Sequence, residues 1–154
     1  MANSAGESEL RPGEHTAELP ERIDAGLYFI GRAVTPWKTR SDCPRQGDAD
    51  NGPVCRIELD SRWRAALSGV KPSGRLQVLY WMHEARRDLV IQTPRPVEGA
   101  SGTFALRSPN RPNPIASSMV AVVGIEDTVI LVRGLDCVDG TPVLDIKPDL
   151  CPHG

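Results

Sequence analysis

The sequence predicts a mainly β protein, built as a single-domain closed or nearly closed β-barrel with a short helix. Two observations lead to this prediction. Short strand-like runs follow one another along the chain, without the alternation of strands and helices that indicates a parallel sheet. The 154 residues also include 14 glycines and 14 prolines, which is typical of many turns between short strands.

The first 24 residues are predicted to be a disordered or loosely attached tail. They show no apolar periodicity, and they carry six acidic residues against two arginines. From Gly26 onward the pattern changes to apolar runs. The expected organisation is therefore a flexible tail over residues 1–24 and one barrel domain over residues 25–154.

The first part of the domain predicts two strands joined by a long loop. Residues 27–34 are rich in apolar and aromatic side chains and end at a Thr-Pro pair, as a strand does. Residues 54–59 alternate apolar and polar side chains, the pattern of a half-buried strand. Between them, residues 37–53 contain two prolines and two glycines, and long loops of this kind often carry function.

A short helix and two further strands are expected next. Asp60 or Ser61 can cap a helix through Leu67, which Gly69 then stops. The apolar runs at 76–82 and 89–92 predict strands.

The last third of the chain predicts a hairpin and a final strand. Residues 118–125 and 128–133 are apolar runs separated by Glu126-Asp127, which favours a β-hairpin. A turn at Asp139-Gly140 precedes the last strand, at 142–146.

A proline-rich block at residues 104–118 is predicted to be a stiff, extended loop. It contains Pro109, Pro112 and Pro114. Each proline fixes φ and removes a backbone donor, which excludes a helix or a central strand. We expect the loop to hold Arg107, Arg111 and Asn113 as a preorganised set of donors for an anionic or polar ligand.

Composition bounds the class of protein. No apolar run of membrane-spanning length and no charged-then-apolar leader occurs, so we expect a soluble, cytoplasmic protein with reduced thiols at its four cysteines. Fifteen of the 18 basic residues are arginine, the residue that forks onto phosphate and carboxylate. This permits a nucleic-acid partner, and a solvated arginine-rich surface explains the same composition equally well.

Several common sites are excluded by missing motifs. The chain has no GxGxxG after a strand and no GxxxxGK[ST], which argues against Rossmann and P-loop nucleotide sites. GxSxG and HExxH are also absent. The isolated Cys151-Pro-His153 sequence is a weak metal signal, so no metal is expected.

Some polar positions can be explained by structure or by function. His83 ends an apolar run, where a histidine is more often packed and hydrogen-bonded than catalytic. The sequence Pro44-Arg45-Gln46 fits a solvated turn or a binding loop equally well. Asp145 lies inside an apolar strand, where a carboxylate is on the open face or has a partner, and Lys147 on the same face is a candidate partner.

Six motif blocks occur in order along the chain. They are Pro44-Arg-Gln46, His83, Phe104-Ala-x-Arg107-Ser, Arg111-Pro-Asn-Pro-Ile115, Leu135-Asp136 and Asp139-Gly-Thr-Pro-Val-Leu-Asp-Ile-Lys-Pro148. Together, over roughly residues 26–149, they resemble the TrmO (YaeB/TsaA-like) family of S-adenosylmethionine-dependent tRNA methyltransferases.

The resemblance implies a non-Rossmann β-barrel methyltransferase that works as a homodimer. It implies S-adenosyl-L-methionine as the cofactor, bound near the subunit interface. The implied substrate is the exocyclic nitrogen of threonylcarbamoyladenosine, beside the anticodon in the tRNA anticodon loop. By motif position, cofactor contacts carry over to Pro44, Arg45, Gln46, His83, Glu84, Arg107, Ser117, Gly134, Leu135 and Asp136.

Other signature residues carry over with open roles. Arg111, Asn113 and Asp139 either contact the substrate or shape their loops. Asp145 is the candidate general base, with Lys147 beside it, because a carbamoylated nitrogen is a poor nucleophile that a base assists. A purely structural Asp145–Lys147 pair is the alternative.

Departures from the family pattern motivate alternative functions. Ala116, Glu84 and Asp149 stand where glycine, glutamine and tyrosine are common in the family, and a C-terminal domain of many bacterial members is not expected here. One alternative is a methyltransferase that acts on a small molecule or another RNA. The other is a protein that senses S-adenosylmethionine without transferring its methyl group.

Overall fold

The structure is a computed structural model that describes residues 9–95 and 99–150. Its contacts divide the chain into two compact units. One unit comprises the described parts of Met1–Ile23 and Glu84–Pro114, and the other comprises Asp24–His83 with the described part of Ile115–Gly154. We call them the insert unit and the barrel unit.

The barrel unit is a closed barrel of six antiparallel strands, which confirms the predicted fold class. The strands are β2 (Gly31–Val34), β3 (Cys55–Leu59), β4 (Arg75–Trp81), β7 (Ile115–Glu126), β8 (Val129–Arg133) and β9 (Pro142–Pro148). Their order around the barrel is β2-β3-β8-β7-β4-β9, and β9 pairs with β2 to close it.

Alternating side chains fill the barrel interior. In β3, Cys55, Ile57 and Leu59 are buried while the residues between them are more exposed. In β4, Leu76, Val78 and Tyr80 are the buried row. Successive side chains of a strand point to opposite faces, so this period of two is what encloses one apolar core.

The predicted β7–β8 hairpin is confirmed. Asp127 takes a φ of 54° at its turn, a conformation that Asp tolerates better than most residues. The register shifts between Val122 and Gly124, so the two strands contain a bulge there.

The short helix is a 3-10 helix over Ser61–Leu67, where the sequence predicts a helix. Asp60 is its N-cap, and the Asp60 side chain accepts a hydrogen bond from the Arg62 backbone N–H. Gly69 follows with a φ of 90°, a conformation that glycine adopts without strain.

The first predicted strand is shorter than expected. The sequence predicts a strand over residues 27–34, whereas β2 begins at Gly31. Gly31 pairs with Leu59, the last residue of β3, so the ladder with β3 ends there, although the Ile30 N–H still donates to the Val143 carbonyl of β9. Leu27, Tyr28 and Phe29 precede the strand and are exposed.

The insert unit contains a three-stranded sheet of order β1-β5-β6. Its strands are β1 (His15–Thr16), β5 (Leu89–Gln92) and β6 (Ser101–Gly102), and a 3-10 turn over Thr103–Ala105 follows. Strand β1 is not anticipated by the sequence, which predicts a loose tail there. Residues 1–8 lie outside the described residues, and the division into a tail and one domain stays a prediction.

The proline-rich block is an irregular loop only in part. Residues 106–114 form neither helix nor strand, as predicted. The expectation is wrong for residues 115–118, because β7 starts at Ile115 and lies between β8 and β4. Pro114 is the last proline of the block, so every later residue keeps the backbone N–H that a central strand requires.

Membrane-spanning helices and cysteine pairing can be judged for the described residues alone. Within residues 9–95 and 99–150, no helix is long and apolar enough to cross a membrane. Cys55 and Cys137 are free thiols, and Cys151 lies outside the described residues.

Candidate functional site

The segment that follows β8, residues 134–141, is held to the barrel by backbone and threonine contacts. Thr35 Oγ1 donates to the carbonyl of Cys137 at 2.8 Å, and within the segment itself Thr141 Oγ1 donates to the carbonyl of Val138 at 2.6 Å. The Gly140 N–H donates to Ala33 of β2 at 2.8 Å. The path of this segment is therefore fixed independently of any ligand.

Asp136 lies at the centre of a polar cluster in this segment. The Tyr80 hydroxyl donates to Asp136 Oδ1 at 2.5 Å, and Ser118 Oγ lies 2.8 Å from the same hydroxyl. Ser118 Oγ is also 3.4 Å from Asp136 Oδ1. Within the described residues Asp136 Oδ2 has no hydrogen-bond or ion-pair partner, so this oxygen can accept a hydrogen bond from a ligand.

Tyr80 stays protonated in this setting. Burial raises the pKa of the Tyr80 hydroxyl well above its usual value, and the neighbouring charge of Asp136 raises it further. The hydroxyl therefore remains a hydrogen-bond donor throughout the neutral and mildly alkaline range.

The long loop at residues 43–53 lies directly against Gly134. A Cβ placed on Gly47 would come within 1.8 Å of the Gly134 carbonyl oxygen, and one placed on Gly134 would lie 3.3 Å from Ala49. The far end of the loop is tied down, because Arg133 Nε donates to the Gly52 carbonyl at 3.1 Å. Glycine at both contact points is thus what permits the two backbones to approach so closely.

This packing brings two predicted cofactor segments together. Pro44, Arg45 and Gln46 are exposed and immediately precede Gly47, while Gly134 and Leu135 are buried and precede Asp136. Within the described part of the chain, no hydrogen bond or ion pair engages the side chains of Arg45 and Gln46. The barrel unit therefore presents a guanidinium, an amide and a carboxylate from two adjoining segments.

Ser117 and Ser118 lie on opposite faces of β7. Ser117 Oγ accepts a hydrogen bond from Gln77 Nε2 at 3.0 Å, away from the row of Tyr80. The role of Ser117 as a cofactor contact stays a prediction. Ser118 and Tyr80 are members of the Asp136 cluster that the sequence analysis missed, since a serine and an apolar-strand tyrosine give no motif signal.

The other predicted cofactor residues are exposed. His83 follows β4, and the backbone N–H of His83 donates to the Trp81 carbonyl at 2.9 Å. Glu84 and Arg107 belong to the insert unit and are also exposed. Their predicted contacts with the cofactor stay predictions.

Two residues with open roles are engaged within the proline-rich loop. Arg111 Nη1 donates to the carbonyls of Leu106 at 3.0 Å and Ser108 at 3.1 Å. Asn113 Oδ1 accepts from Arg87 Nη2 at 3.0 Å. These contacts favour loop shaping over substrate contact for Arg111 and Asn113.

Asp139 is engaged in the same way within the barrel unit. Its Oδ1 accepts from the Thr35 N–H at 3.1 Å, and its Oδ2 pairs with Lys38 Nζ at 2.6 Å. The hydrogen bond from Lys38 lowers the pKa of Asp139, and that from Thr35 lowers it further. Both oxygens are occupied, which again favours loop shaping.

Asp145 and Lys147 form the ion pair that their spacing suggests. Lys147 Nζ lies 2.8 Å from Asp145 Oδ2, and the side chains are 57% and 49% exposed respectively. Asp145 Oδ1 also accepts from the Ile146 N–H at 2.9 Å. An exposed pair of this kind contributes little to stability, and its catalytic role stays a prediction.

No candidate metal centre is found in the described part of the chain. Across residues 9–95 and 99–150, no group of three or more His, Cys, Asp or Glu side chains could hold a metal ion.

A family model and several curated relatives match this chain. The model for the tRNA-methyltransferase O N-terminal domain matches residues 32–151. The probable S-adenosyl-L-methionine-binding protein VirR of Rhizobium radiobacter is 50% identical over 151 residues, covering 96% of this chain and 86% of that protein. The tRNA (adenine(37)-N6)-methyltransferase of Escherichia coli K12 is 37% identical over 131 residues, covering 79% of this chain and 56% of that enzyme.

Solved structures of other proteins share the fold of this chain. The crystal structure of TrmO from Pseudomonas aeruginosa superposes with a TM-score of 0.67 at 29% sequence identity, covering 86% of this chain and 61% of that one. This chain thus spans roughly three fifths of the solved TrmO chain and just over half of the Escherichia coli enzyme.

Proposed function

The chain belongs to the tRNA-methyltransferase O N-terminal domain family, and from that membership we propose that it methylates the exocyclic nitrogen of threonylcarbamoyladenosine beside the tRNA anticodon. At the coarser level it is an S-adenosyl-L-methionine-dependent methyltransferase, and S-adenosyl-L-methionine is its cofactor. A tRNA substrate also implies the cytoplasmic location that we propose.

One structural observation supports this function most directly. The close contact of Gly47 with Gly134 brings the 44–46 and 134–136 segments together on the barrel. Both segments belong to the motif set that resembles the family, and they are distant in sequence. A cofactor site assembled by the fold explains why such separate blocks carry the resemblance.

The chemistry of this donor set fits the cofactor. Asp136 Oδ2 can accept a hydrogen bond from an ammonium group or a ribose hydroxyl. The exposed guanidinium of Arg45 can donate to a carboxylate in a charge-assisted contact. S-adenosyl-L-methionine carries all of these groups, and when bound it supplies an electrophilic methyl group.

The residues of the chain then serve two proposed purposes. Asp136 and Arg45 bind and orient, and correct orientation of the reacting atoms lowers the barrier of an in-line displacement. Asp145 is proposed to accept the proton that the substrate nitrogen releases as its new bond to carbon forms. Lys147 Nζ, 2.8 Å from Asp145 Oδ2, competes with that proton for the carboxylate.

We also propose that the protein is a homodimer. Val120 of β7 is buried, and Ala116 of the same strand pairs with the buried Tyr80, so both face the barrel interior. Their neighbours Met119 and Ile115 therefore lie on the outer face, where they are 39% and 41% exposed. Light scattering of the full chain is expected to give the mass of two copies. If this face forms the interface, the charged substitution Met119→Glu is expected to lower the measured mass toward that of one copy.

The substrate can be tested with isotopically labelled cofactor. Purified protein and methyl-labelled S-adenosyl-L-methionine are incubated with tRNA that carries threonylcarbamoyladenosine and with the same tRNA lacking that modification. We expect label on the first and none on the second. Absence of label on both, with cofactor binding intact, would rule out the proposed tRNA substrate.

A second function is supported by the degree of similarity. This chain is 50% identical to the probable S-adenosyl-L-methionine-binding protein VirR and 37% identical to the Escherichia coli tRNA methyltransferase. This difference supports a protein that binds the cofactor and either acts on another substrate or senses the cofactor. Production of S-adenosylhomocysteine with a metabolite extract but not with tRNA would support the first, and tight binding without turnover would support the second.

A further inference from the structure

We propose that Tyr80 and Ser118 act as positioning residues that fix the Asp136 carboxylate, so that Oδ2 faces a donor group of the bound cofactor. This role rests on the proposed function only in requiring that the cofactor binds at Asp136. It adds two residues, from two strands of the barrel, to the recognition of S-adenosyl-L-methionine.

The position of Tyr80 indicates that its hydroxyl has a specific purpose. Tyr80 is 3% exposed and continues the buried row of Leu76 and Val78 on β4. A phenylalanine would supply the same apolar ring, and a buried hydroxyl costs free energy unless it is hydrogen-bonded. Here the hydroxyl reaches out of the apolar row to Asp136, which compensates for its burial.

The two hydroxyl groups of the cluster each have one proton, and only that of Tyr80 is always directed at the Asp136 carboxylate. A phenol has a single proton, and Tyr80 gives it to Asp136 Oδ1. In the Tyr80–Ser118 contact at 2.8 Å, Ser118 must therefore be the donor whenever that bond is made. Ser118 Oγ is otherwise within 3.4 Å of Asp136 Oδ1, so its proton serves the cluster in either orientation.

The backbone around Asp136 allows little alternative movement. Leu135 and Cys137, on either side of it, are 2% and 1% exposed. The Cys137 carbonyl is further held by Thr35. With its backbone anchored and Oδ1 engaged, the carboxylate has one orientation, which leaves Oδ2 as the remaining acceptor.

Such an arrangement lowers the cost of binding. A carboxylate that is already oriented loses little conformational freedom when a ligand arrives. Without the tyrosine hydroxyl, the Asp136 side chain would sample other rotamers. Oδ2 would then be oriented toward the donor group of the cofactor in a smaller fraction of molecules. The effect should appear in cofactor affinity and should depend on Asp136 being present.

The test is a double-mutant cycle read by calorimetry with S-adenosyl-L-methionine. We compare the unaltered protein with the Tyr80→Phe variant, the Asp136→Asn variant and the variant that carries both substitutions. We expect Tyr80→Phe to weaken binding about tenfold, as loss of a hydrogen bond to a charged group does. In the Asp136→Asn background, the same substitution should change affinity less than about twofold, because its effect passes through Asp136.

The matched control is Tyr28→Phe, which removes the hydroxyl of an exposed tyrosine outside the site and should leave affinity unchanged. Unchanged binding by Tyr80→Phe, or an equal loss in both backgrounds, would overturn the proposal. If Tyr80→Phe does not give a cooperative thermal transition, Ser118→Ala takes its place in the same cycle with the same criterion. No RNA enters this assay, so failure of tRNA methylation leaves its result intact.

Discussion

Two irregular segments, residues 134–141 of the barrel unit and residues 106–114 of the insert unit, both carry residues predicted for the site, but different contacts hold them. Segment 134–141 is held by its backbone and by Thr35 and Thr141. Loop 106–114 is held by arginine side chains, with Arg111 and Arg87 donating to its carbonyls. As a result, Asp136 keeps a free oxygen, whereas Arg111 is engaged within its own loop.

The difference follows from proline content. Pro109, Pro112 and Pro114 have no N–H, so the loop can satisfy fewer of its own carbonyl groups. Arginine guanidinium groups supply the missing donors. An arginine in a proline-rich loop is therefore as much a structural donor as a ligand contact, and neighbouring Arg107, which is exposed, is the better candidate for binding.

The largest effect is expected where the barrel segment meets the 43–53 loop. Gly47→Ala would place a Cβ within 1.8 Å of the Gly134 carbonyl oxygen, a clash with backbone that no side chain can relieve. We expect the free energy of unfolding to fall by about 3 kcal/mol, measured by chemical denaturation. Gly26→Ala is the control, since a Cβ there meets nothing within 4 Å. Equal stability of both variants would contradict the contact.

A smaller loss is expected from the proline-rich loop. Arg111→Ala removes the donor to the carbonyls of Leu106 and Ser108. The free energy of unfolding should fall by about 2 kcal/mol, while cofactor affinity changes little. Arg107→Ala is the matched variant and should do the opposite, with unchanged stability and weaker cofactor binding. If Arg111→Ala instead lost affinity at full stability, Arg111 would be a ligand contact.

The barrel segment should also give a measurable pH dependence. Burial raises the pKa of the Cys137 thiol from 9.0 to about 12. Between these pH values the unfolded chain has lost the thiol proton that the folded chain keeps. The contribution of this thiol to the free energy of unfolding is therefore fully present below pH 9 and is lost as the pH rises. The largest slope from this thiol is about 1.4 kcal/mol per pH unit. Cys137→Ala should flatten the decline between pH 9 and 11, and an unchanged slope would contradict this origin.

The smallest effect on stability is expected at Asp145. Its pair with Lys147 is about half exposed, so Asp145→Asn should change the free energy of unfolding by only about 0.5 kcal/mol. The same variant separates the two interpretations of this residue. Loss of methyl transfer with cofactor binding retained supports a general base, and retained turnover supports a structural pair.

The sequence predicts the barrel because most of its strands stand out as short apolar or alternating runs. In β3 the alternation of Cys55, Ile57 and Leu59 with Arg56 and Glu58 indicates a buried face by itself. The extent of β2 cannot be predicted in this way, because it depends on where β3 ends at Leu59. Strand β1 is equally hidden, since two exposed residues carry no apolar pattern.

The site is predictable only where motifs mark it. The 44–46 and 134–136 segments emerge from the family resemblance, and their proximity depends on glycine contacts that no local pattern reveals. Tyr80 is indistinguishable in sequence from a core aromatic, because its partner Asp136 lies 56 residues away. The engagement of Arg111 depends likewise on the folded path of its loop.

The role of Asp136 in receiving the cofactor on the barrel unit is tested most directly by calorimetry of S-adenosyl-L-methionine binding to Asp136→Asn. We expect an affinity about thirtyfold lower, equal to about 2 kcal/mol, with the free energy of unfolding nearly unchanged. Asp127→Asn, an exposed aspartate at the β7–β8 turn, should bind like the unaltered protein. Wild-type affinity in Asp136→Asn would contradict this role.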